Sequence, residues 1–284
     1  MSTVIEDHRD SLLQKIWEEH RGWVLTCAAL VISLAVWKVH GTETVFPKSW
    51  IEAFPFAEKV NEFDKWIRPF IQPTTRAIGA GVTWFYELVV DWLTFTQWQI
   101  VFVILVLPAF AYGGLRLGLL AVFAVGSWLV LDMWDAAMET LSLMCISIAI
   151  SVTIGVLFGI MASQNDRFET IIKPILDTMQ TLPAFIYLIP AFYLFGLGAP
   201  GAILATVIYA LPPVVRLTNL GIRQVPADID EAATSFGATK IQSLVKVKIQ
   251  MAMPAIKLGI NQTVMMALAL VVLATFIAAP GLGD

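Results

Sequence analysis

Long apolar segments limit what this 284-residue chain can fold into more than any other feature. A bilayer core takes about 20 apolar residues per helix. Seven segments approach that length and are candidate spans: residues 22–39, 98–113, 117–133, 138–162, 182–197, 200–215 and 258–279. With 58% hydrophobic and 14% charged residues, the chain lacks the polar surface of a soluble protein. We predict an all-α integral membrane protein, a polytopic helical bundle of about seven spans.

Lysine and arginine predict which loops lie in the cytoplasm. The loop 216–257 contains six of them and is predicted to be cytoplasmic. The other loops then alternate sides, which gives a cytoplasmic leader 1–21, a first transmembrane helix 22–39, an extracytoplasmic or interfacial segment 40–97 and a transmembrane domain 98–284. The five basic residues of 40–97 are more than the rule favours outside.

Apolar residues recur at helical spacing between residues 74 and 94. This pattern favours an amphipathic helix that lies in the membrane surface. A short domain packed on the helical bundle explains the same pattern equally well.

Residues 225–237 have the pattern of a short helix within the cytoplasmic loop. Pro226 suits a first helical position, and Gly237 suits a left-handed residue that stops the helix. Thr239 can cap a second helix, which Pro254 is predicted to end or kink. Alanines keep the first helix thin, so it could enter a groove of a partner. A plain interfacial helix is the alternative.

Glu231-Ala232-Ala233, followed after three residues by Gly237, resembles the signature loop of bacterial ABC importer permeases. In that family the loop forms the coupling helix that inserts into the ATPase subunit. The wider sequence from about 138 to 284 is similar to the glycine betaine/proline betaine permeases of the ProW type, a quaternary amine family. The resemblance implies an ATPase-coupling role for these residues: Asp230, Glu231, Ala232, Ala233, Ser235, Phe236 and Gly237.

Two positions depart from the pattern of that family. Gln250 stands where the family usually has proline, so we expect a softer bend after the coupling helix. Family members usually continue into another helix after a segment such as Pro280-Gly-Leu-Gly. We therefore expect that further residues follow Asp284.

Sequence motifs for chemistry are absent. The chain has no phosphate-binding loop and no nucleophile motif, and His8, His20 and His40 form no metal-ligand pattern. We predict no enzyme activity, no catalytic or metal-binding residues and no cofactor bound by this chain. The slight acidity, a net charge of −4, argues against nucleic acid as a partner. The resemblance implies that ATP and Mg bind to a partner ATPase.

Polar residues at membrane depth are candidates for a translocation path. They cluster near two of the predicted spans and comprise Thr181, Pro183, Tyr187, Asn261, Gln262 and Thr263. The alternative for each is a helix-to-helix hydrogen bond, which is worth about 0.6 kcal/mol on average.

The resemblance implies a multi-pass permease subunit in the bacterial inner membrane that works by alternating access. Two copies would form the path among membrane lipids, ATPase subunits would drive it, and an extracytoplasmic substrate-binding protein would deliver the solute. The implied cargo is a small amine osmolyte: glycine betaine, proline betaine, choline, carnitine or trimethylamine N-oxide. An ion-coupled secondary transporter or channel is the alternative, although inverted repeats and paired intramembrane charges are not evident in the sequence.

Overall fold

A computed structural model describes residues 22–23, 26–38 and 56–283, and this part of the chain is helical without strands. The predicted leader 1–21 and His8, His20 and His40 lie outside the described residues. The helices, in chain order, are α1 (Thr26–Lys38), α2 (Phe56–Phe95), α3 (Trp98–Val130), α4 (Trp134–Gln164), α5 (Asp166–Thr181), α6 (Leu188–Phe195), α7 (Ala199–Arg223), α8 (Ala227–Ser235), α9 (Lys240–Ser243) and α10 (Ile249–Leu273). Short 3-10 turns cover Ala184–Tyr187 and Ala274–Ile277, and a π-helical turn covers Leu244–Lys248. The all-α prediction is confirmed.

The predicted count of seven spans is not confirmed. By length and composition, four described helices could cross a membrane: α3, α4, α7 and the continuous stretch Lys240–Ile277. A fifth span results if α5 and the segment Ala184–Phe195, which meet at 114°, count as one broken span. The described part of α1 is shorter than the predicted span 22–39.

The predicted spans 98–113 and 117–133 lie on the two sides of a break within the element α3. Its backbone leaves helical geometry at Gly114, which has φ 71° and ψ −171°. Glycine tolerates this conformation because it has no Cβ. Hydropathy separated the two halves because Arg116 lies beside this break.

The chain divides into two compact units, Met1–Ile67 and Arg68–Asp284. In the first unit, Phe63 and Trp66 form an aromatic pair with ring centroids 6.0 Å apart. Helix α2 contains the predicted stretch 74–94, so its helical conformation is confirmed. Its place relative to the membrane stays a prediction.

Helix α7 forms the centre of the second unit and packs between α4 and α10. The face of α4 toward α7 has small, buried residues at every fourth position: Ser147, Ser151, Gly155 and Gly159. A Cβ atom added to Gly155 would lie 2.1 Å from Val214 Cγ1. Membrane helices associate through such small residues because lipid gives them no hydrophobic driving force.

Buried hydroxyl groups add hydrogen bonds between the same helices. Ser151 Oγ donates to the Val207 carbonyl at 3.3 Å, which joins α4 to α7. Thr263 Oγ1 donates to the Ala210 carbonyl at 2.9 Å, which joins α10 to α7. Small side chains and buried hydroxyls therefore hold the three helices together.

Substituting Gly159→Leu should destabilise the protein, because a Cβ there meets Thr218 Cβ at 2.5 Å and the Val215 carbonyl oxygen at 2.8 Å. We expect a loss of about 1–3 kcal/mol, the range for overpacked cores. Thermal unfolding in detergent micelles measures it.

Gly126→Leu is the matched control, since a Cβ at Gly126 in α3 meets no atom within 4 Å. It should unfold like the wild type. Equal unfolding temperatures for the two variants would contradict the packing described for α4 and α7.

Candidate functional site

Helices α8 and α9 form a short elbow, residues 227–243, that follows α7 directly. Helix α8 is the first of the two. It begins after Pro226 and has Asp228 and Asp230 in its first turn, where carboxylates interact favourably with the helix dipole. It ends at a left-handed Gly237 with φ 82°. There the Ala238 N–H donates to the Ala233 carbonyl at 3.1 Å, and the Gly237 N–H donates to the Thr234 carbonyl at 2.9 Å. This pair of bonds is a Schellman motif, so the predicted glycine stop is confirmed.

The second helix of the elbow begins as the sequence predicts. Thr239 Oγ1 accepts from the Gln242 N–H at 3.3 Å, and Gln242 Oε1 accepts from the Thr239 N–H at 2.9 Å. Together they form a capping box. The prediction for Pro254 is wrong where it expected the helix to end, since α10 continues through it to Leu273. Neighbouring helices compensate for such a proline, and Ala252 and Ile256 beside it are buried.

Asp230 connects α8 to the segment that leads into α10. Its Oδ2 lies 2.7 Å from Lys248 Nζ, and it also accepts a hydrogen bond from the buried Ser243 hydroxyl. The hydrogen bonds from Lys248 and then Ser243 lower the pKa of Asp230 below its ordinary value. The charged form of Asp230 therefore connects α8 to the π-helical turn that leads into α10.

The side chains of the other predicted coupling residues are mostly exposed. Glu231, Ala232, Ser235 and Gly237 are exposed, and Ala233 is partly buried. Phe236 is 93% exposed, which is costly for a large apolar ring in water. An exposed aromatic ring outside the membrane-spanning helices is a candidate for contact with a partner.

Sequence reasoning missed two further members of this surface. Ile241 and Val245, four residues apart after the bend, are 75% and 51% exposed. Helical spacing of two aliphatic residues within a basic segment was the available signal. We call Phe236, Ile241 and Val245 the elbow surface.

A polar cluster fixes the end of α7, three residues before the elbow. Arg223 Nη2 lies 2.7 Å from Asp166 Oδ1, 3.0 Å from Glu169 Oε2 and 2.8 Å from the Ala162 carbonyl oxygen. Asn219 bridges Arg223 Nε at 3.0 Å and Glu169 Oε1 at 2.8 Å. The ion pair with the exposed Asp166 contributes little to stability by itself. The partly buried Glu169 and the hydrogen bond to the Ala162 carbonyl hold Arg223 in place. Sequence reasoning treated Arg223 only as a cytoplasmic charge.

The candidate path residues fall into two groups. Asn261 and Gln262 are exposed on α10, but the Thr263 side chain is buried and donates to α7. Thr263 therefore makes the helix-to-helix hydrogen bond that was given as the alternative to a place on the translocation path.

The break between α5 and α6 holds the other candidates. Thr181 and Pro183 are exposed there, and the buried Tyr187 donates its hydroxyl to the Met179 carbonyl. The 3-10 turn that contains Tyr187 packs against α10. The structure therefore places the break beside the helix that carries Asn261 and Gln262.

Comparison with known proteins identifies relatives of the chain. The family of binding-protein-dependent transport system inner membrane components matches residues 151–284, which include α7, the elbow and α10. The glycine betaine transport system permease protein OpuAB of Bacillus subtilis is 40% identical over 233 residues, 81% of this chain and 82% of the relative. The glycine betaine/carnitine transport permease protein GbuB of Listeria monocytogenes is 41% identical over 242 residues, 83% of this chain and 81% of the relative.

A third relative is the glycine betaine/proline betaine transport system permease protein ProW of Escherichia coli. It is 38% identical over 233 residues, 81% of this chain and 65% of the relative. The resemblance stated from the sequence is confirmed. Its predicted extent, about 138–284, is too short, because these alignments also include residues before 138.

Asp230→Asn should loosen the elbow, because the neutral amide loses the ion pair with Lys248. We expect faster amide hydrogen exchange across residues 227–243 at neutral pH. Asp228→Asn is the control, because it removes an exposed carboxylate from the same first turn but breaks no ion pair, and it should exchange more slowly than Asp230→Asn.

The difference in exchange rate between Asp230→Asn and the wild type should depend on pH in one direction. A carboxylate with a lowered pKa stabilises the fold above its unfolded pKa and loses that contribution as the pH falls through the folded value. The difference should therefore persist down to about pH 4 and disappear only below it. Exchange that is equal in all three proteins at pH 7 would rule out a stabilising role for the ion pair.

Proposed function

The chain belongs to the family of inner membrane components of binding-protein-dependent transport systems, and we propose that it is the permease subunit of an ATP-driven importer. Its place is the bacterial inner membrane, which it crosses several times. One observation supports the coupling role most directly: a capped, rigid elbow presents the exposed Phe236 directly after a membrane-spanning helix.

The elbow fits a role as the contact with a separate ATPase subunit. Helix α8 is thin because it has alanines at positions 232 and 233. A partner groove would bury Phe236, Ile241 and Val245 and remove them from water. ATP and Mg would bind to that partner, and this chain would contribute no catalytic group.

Two polar contacts give the elbow a mechanical connection to the membrane helices. The Asp230–Lys248 pair joins α8 to the start of α10, and the Arg223 cluster holds the end of α7 against α4 and α5. When ATP closes the partner dimer, α8 would move and carry α7, α10 and the helices packed on them as one unit relative to the second copy of the chain. The path would then open outward, and hydrolysis would return it to the inward-open state.

The translocation path would form between two copies of the chain. Asn261 and Gln262 are exposed on a helix that crosses the membrane, and uncompensated polar groups are costly in lipid. We place these two residues, with Thr181 and Pro183 at the helix break, on a water-filled path. Tyr187 and Thr263 would instead hold the helices that border the path.

The cargo we propose is a small quaternary or tertiary amine osmolyte. The relatives named above transport glycine betaine, proline betaine or carnitine according to their names, and choline and trimethylamine N-oxide have related chemistry. An extracytoplasmic binding protein would select among them. Aromatic side chains of that partner would recognise the cation.

Substitutions in the elbow should release the ATPase. Phe236→Glu puts a charge into the apolar contact, and Gly237→Trp distorts the left-handed cap. We expect at least about tenfold less co-purified ATPase for Phe236→Glu and Gly237→Trp, since loss of a central aromatic anchor typically costs 2 kcal/mol or more.

Thr170→Glu is the matched control, because it adds the same charge on the exposed face of α5. It should retain the ATPase and support uptake of radiolabelled glycine betaine. If both elbow variants still bound the ATPase and supported uptake, the coupling assignment would be wrong.

Path residues should be accessible to water, which cysteine labelling can test. In a background without Cys27 and Cys145, Asn261→Cys and Gln262→Cys should react with a membrane-impermeant cationic thiol reagent. Phe123→Cys, on the exposed apolar face of α3, should not react because lipid covers it. Labelling of Phe123→Cys at the same rate, or none at Asn261→Cys and Gln262→Cys, would contradict the proposed path.

A further inference from the structure

A cavity of about 380 Å³ lies between α2 and the segment Phe192–Gly196. One side of α2 contributes polar residues to it at helical spacing, namely Arg68, Gln72, Thr75 and Arg76. Of the described residues that line this cavity, two are arginines and none is acidic. The cavity therefore offers positive charge and hydrogen-bond donors in one place.

The geometry of Arg68 suits an oxyanion. Its guanidinium lies over the Tyr193 ring, with Cζ 5.3 Å from the ring centroid. Stacking on an aromatic face orients the planar fork, which then matches two oxygens of a phosphate or carboxylate.

Phe192 lines both this cavity and an apolar groove of about 600 Å³. All of the described residues that line the groove are apolar, and they come from α6, the 3-10 turn before it, the loop before α7, and the end of α10 with its 3-10 turn. Besides Phe192 they include Phe185, Ile189, Leu273, Phe276 and Ile277. The combined site thus has a cationic end and an apolar end.

Helix α7 fixes the depth of this site in the bilayer. Leu197 lines the apolar groove and lies just before the first residue of α7, whereas the elbow follows its last residue. The 25 residues of α7 span about 37 Å, enough to cross the hydrocarbon core. The site therefore lies near the membrane surface opposite the elbow, at headgroup level.

We propose that this composite site binds one anionic phospholipid of the leaflet opposite the elbow. The phosphodiester would lie between Arg68 and Arg76, and an acyl chain would fill the groove beside Ile189 and Phe276. A soluble anion would use only the cationic end, and a neutral lipid only the apolar end. The charge and the shape together select an anionic lipid, which would seal α2 against α6 and the end of α10.

The test uses the full-length protein with its partner subunits in nanodiscs that contain phosphatidylcholine and phosphatidylglycerol. Native mass spectrometry after detergent extraction measures which lipid stays bound. We expect phosphatidylglycerol to be enriched, and Arg68→Gln/Arg76→Gln to reduce that enrichment by about fivefold per guanidinium. Ile189→Trp, which fills the groove, should reduce retention of the lipid while both arginines remain.

Arg116→Gln/Arg167→Gln is the matched control, because it removes the same charge at two exposed positions outside the site. It should keep the enrichment. The proposal is overturned if phosphatidylcholine is retained equally, or if the Arg68/Arg76 double variant binds like the wild type. It is also overturned if soluble glycerophosphoglycerol displaces the lipid at equal concentration, since the acyl chain would then contribute nothing.

Discussion

Close backbone contact between α7 and its two neighbours is the constraint on which the other features depend. Gly155 and Gly159 of α4 leave no room for a Cβ against α7, and a Cβ at Gly259 of α10 would lie only 3.0 Å from Val214 Cα. In lipid, apolar surface alone does not drive helices together, so this fit and a few buried hydroxyl bonds define the bundle. Once α7 is held on both sides, the elbow at its end has a fixed position.

A rigid elbow can transmit force only if its connections are stiffer than its contact with the partner. The Schellman stop at Gly237, the capping box at Thr239 and the Asp230–Lys248 pair remove freedom from the short helix α8. The Arg223 cluster does the same for the preceding helix end. These contacts stabilise the helix that presents the elbow surface, whereas an isolated helix of this length would be marginal in water.

Local patterns predicted local structure well. The glycine stop, the threonine cap and the helix over 138–162 follow from rules that act within a few residues. The break at Gly114 falls between two predicted spans, but the 114° bend before α6 was missed because hydropathy reports composition and not backbone direction. Contacts such as Arg223 with Asp166, 57 residues apart, come from tertiary packing and leave no local pattern. The relation to amine permeases came from residue identities.

We propose that a separate ATPase binds the elbow. A cryo-electron microscopy structure of the chain with its co-purified ATPase tests it most directly. We expect α8 to lie in a groove of the ATPase and Phe236, exposed in the isolated chain, to become buried there. An ATPase bound elsewhere, with Phe236 still in solvent or on the opposite side of the bilayer, would contradict it.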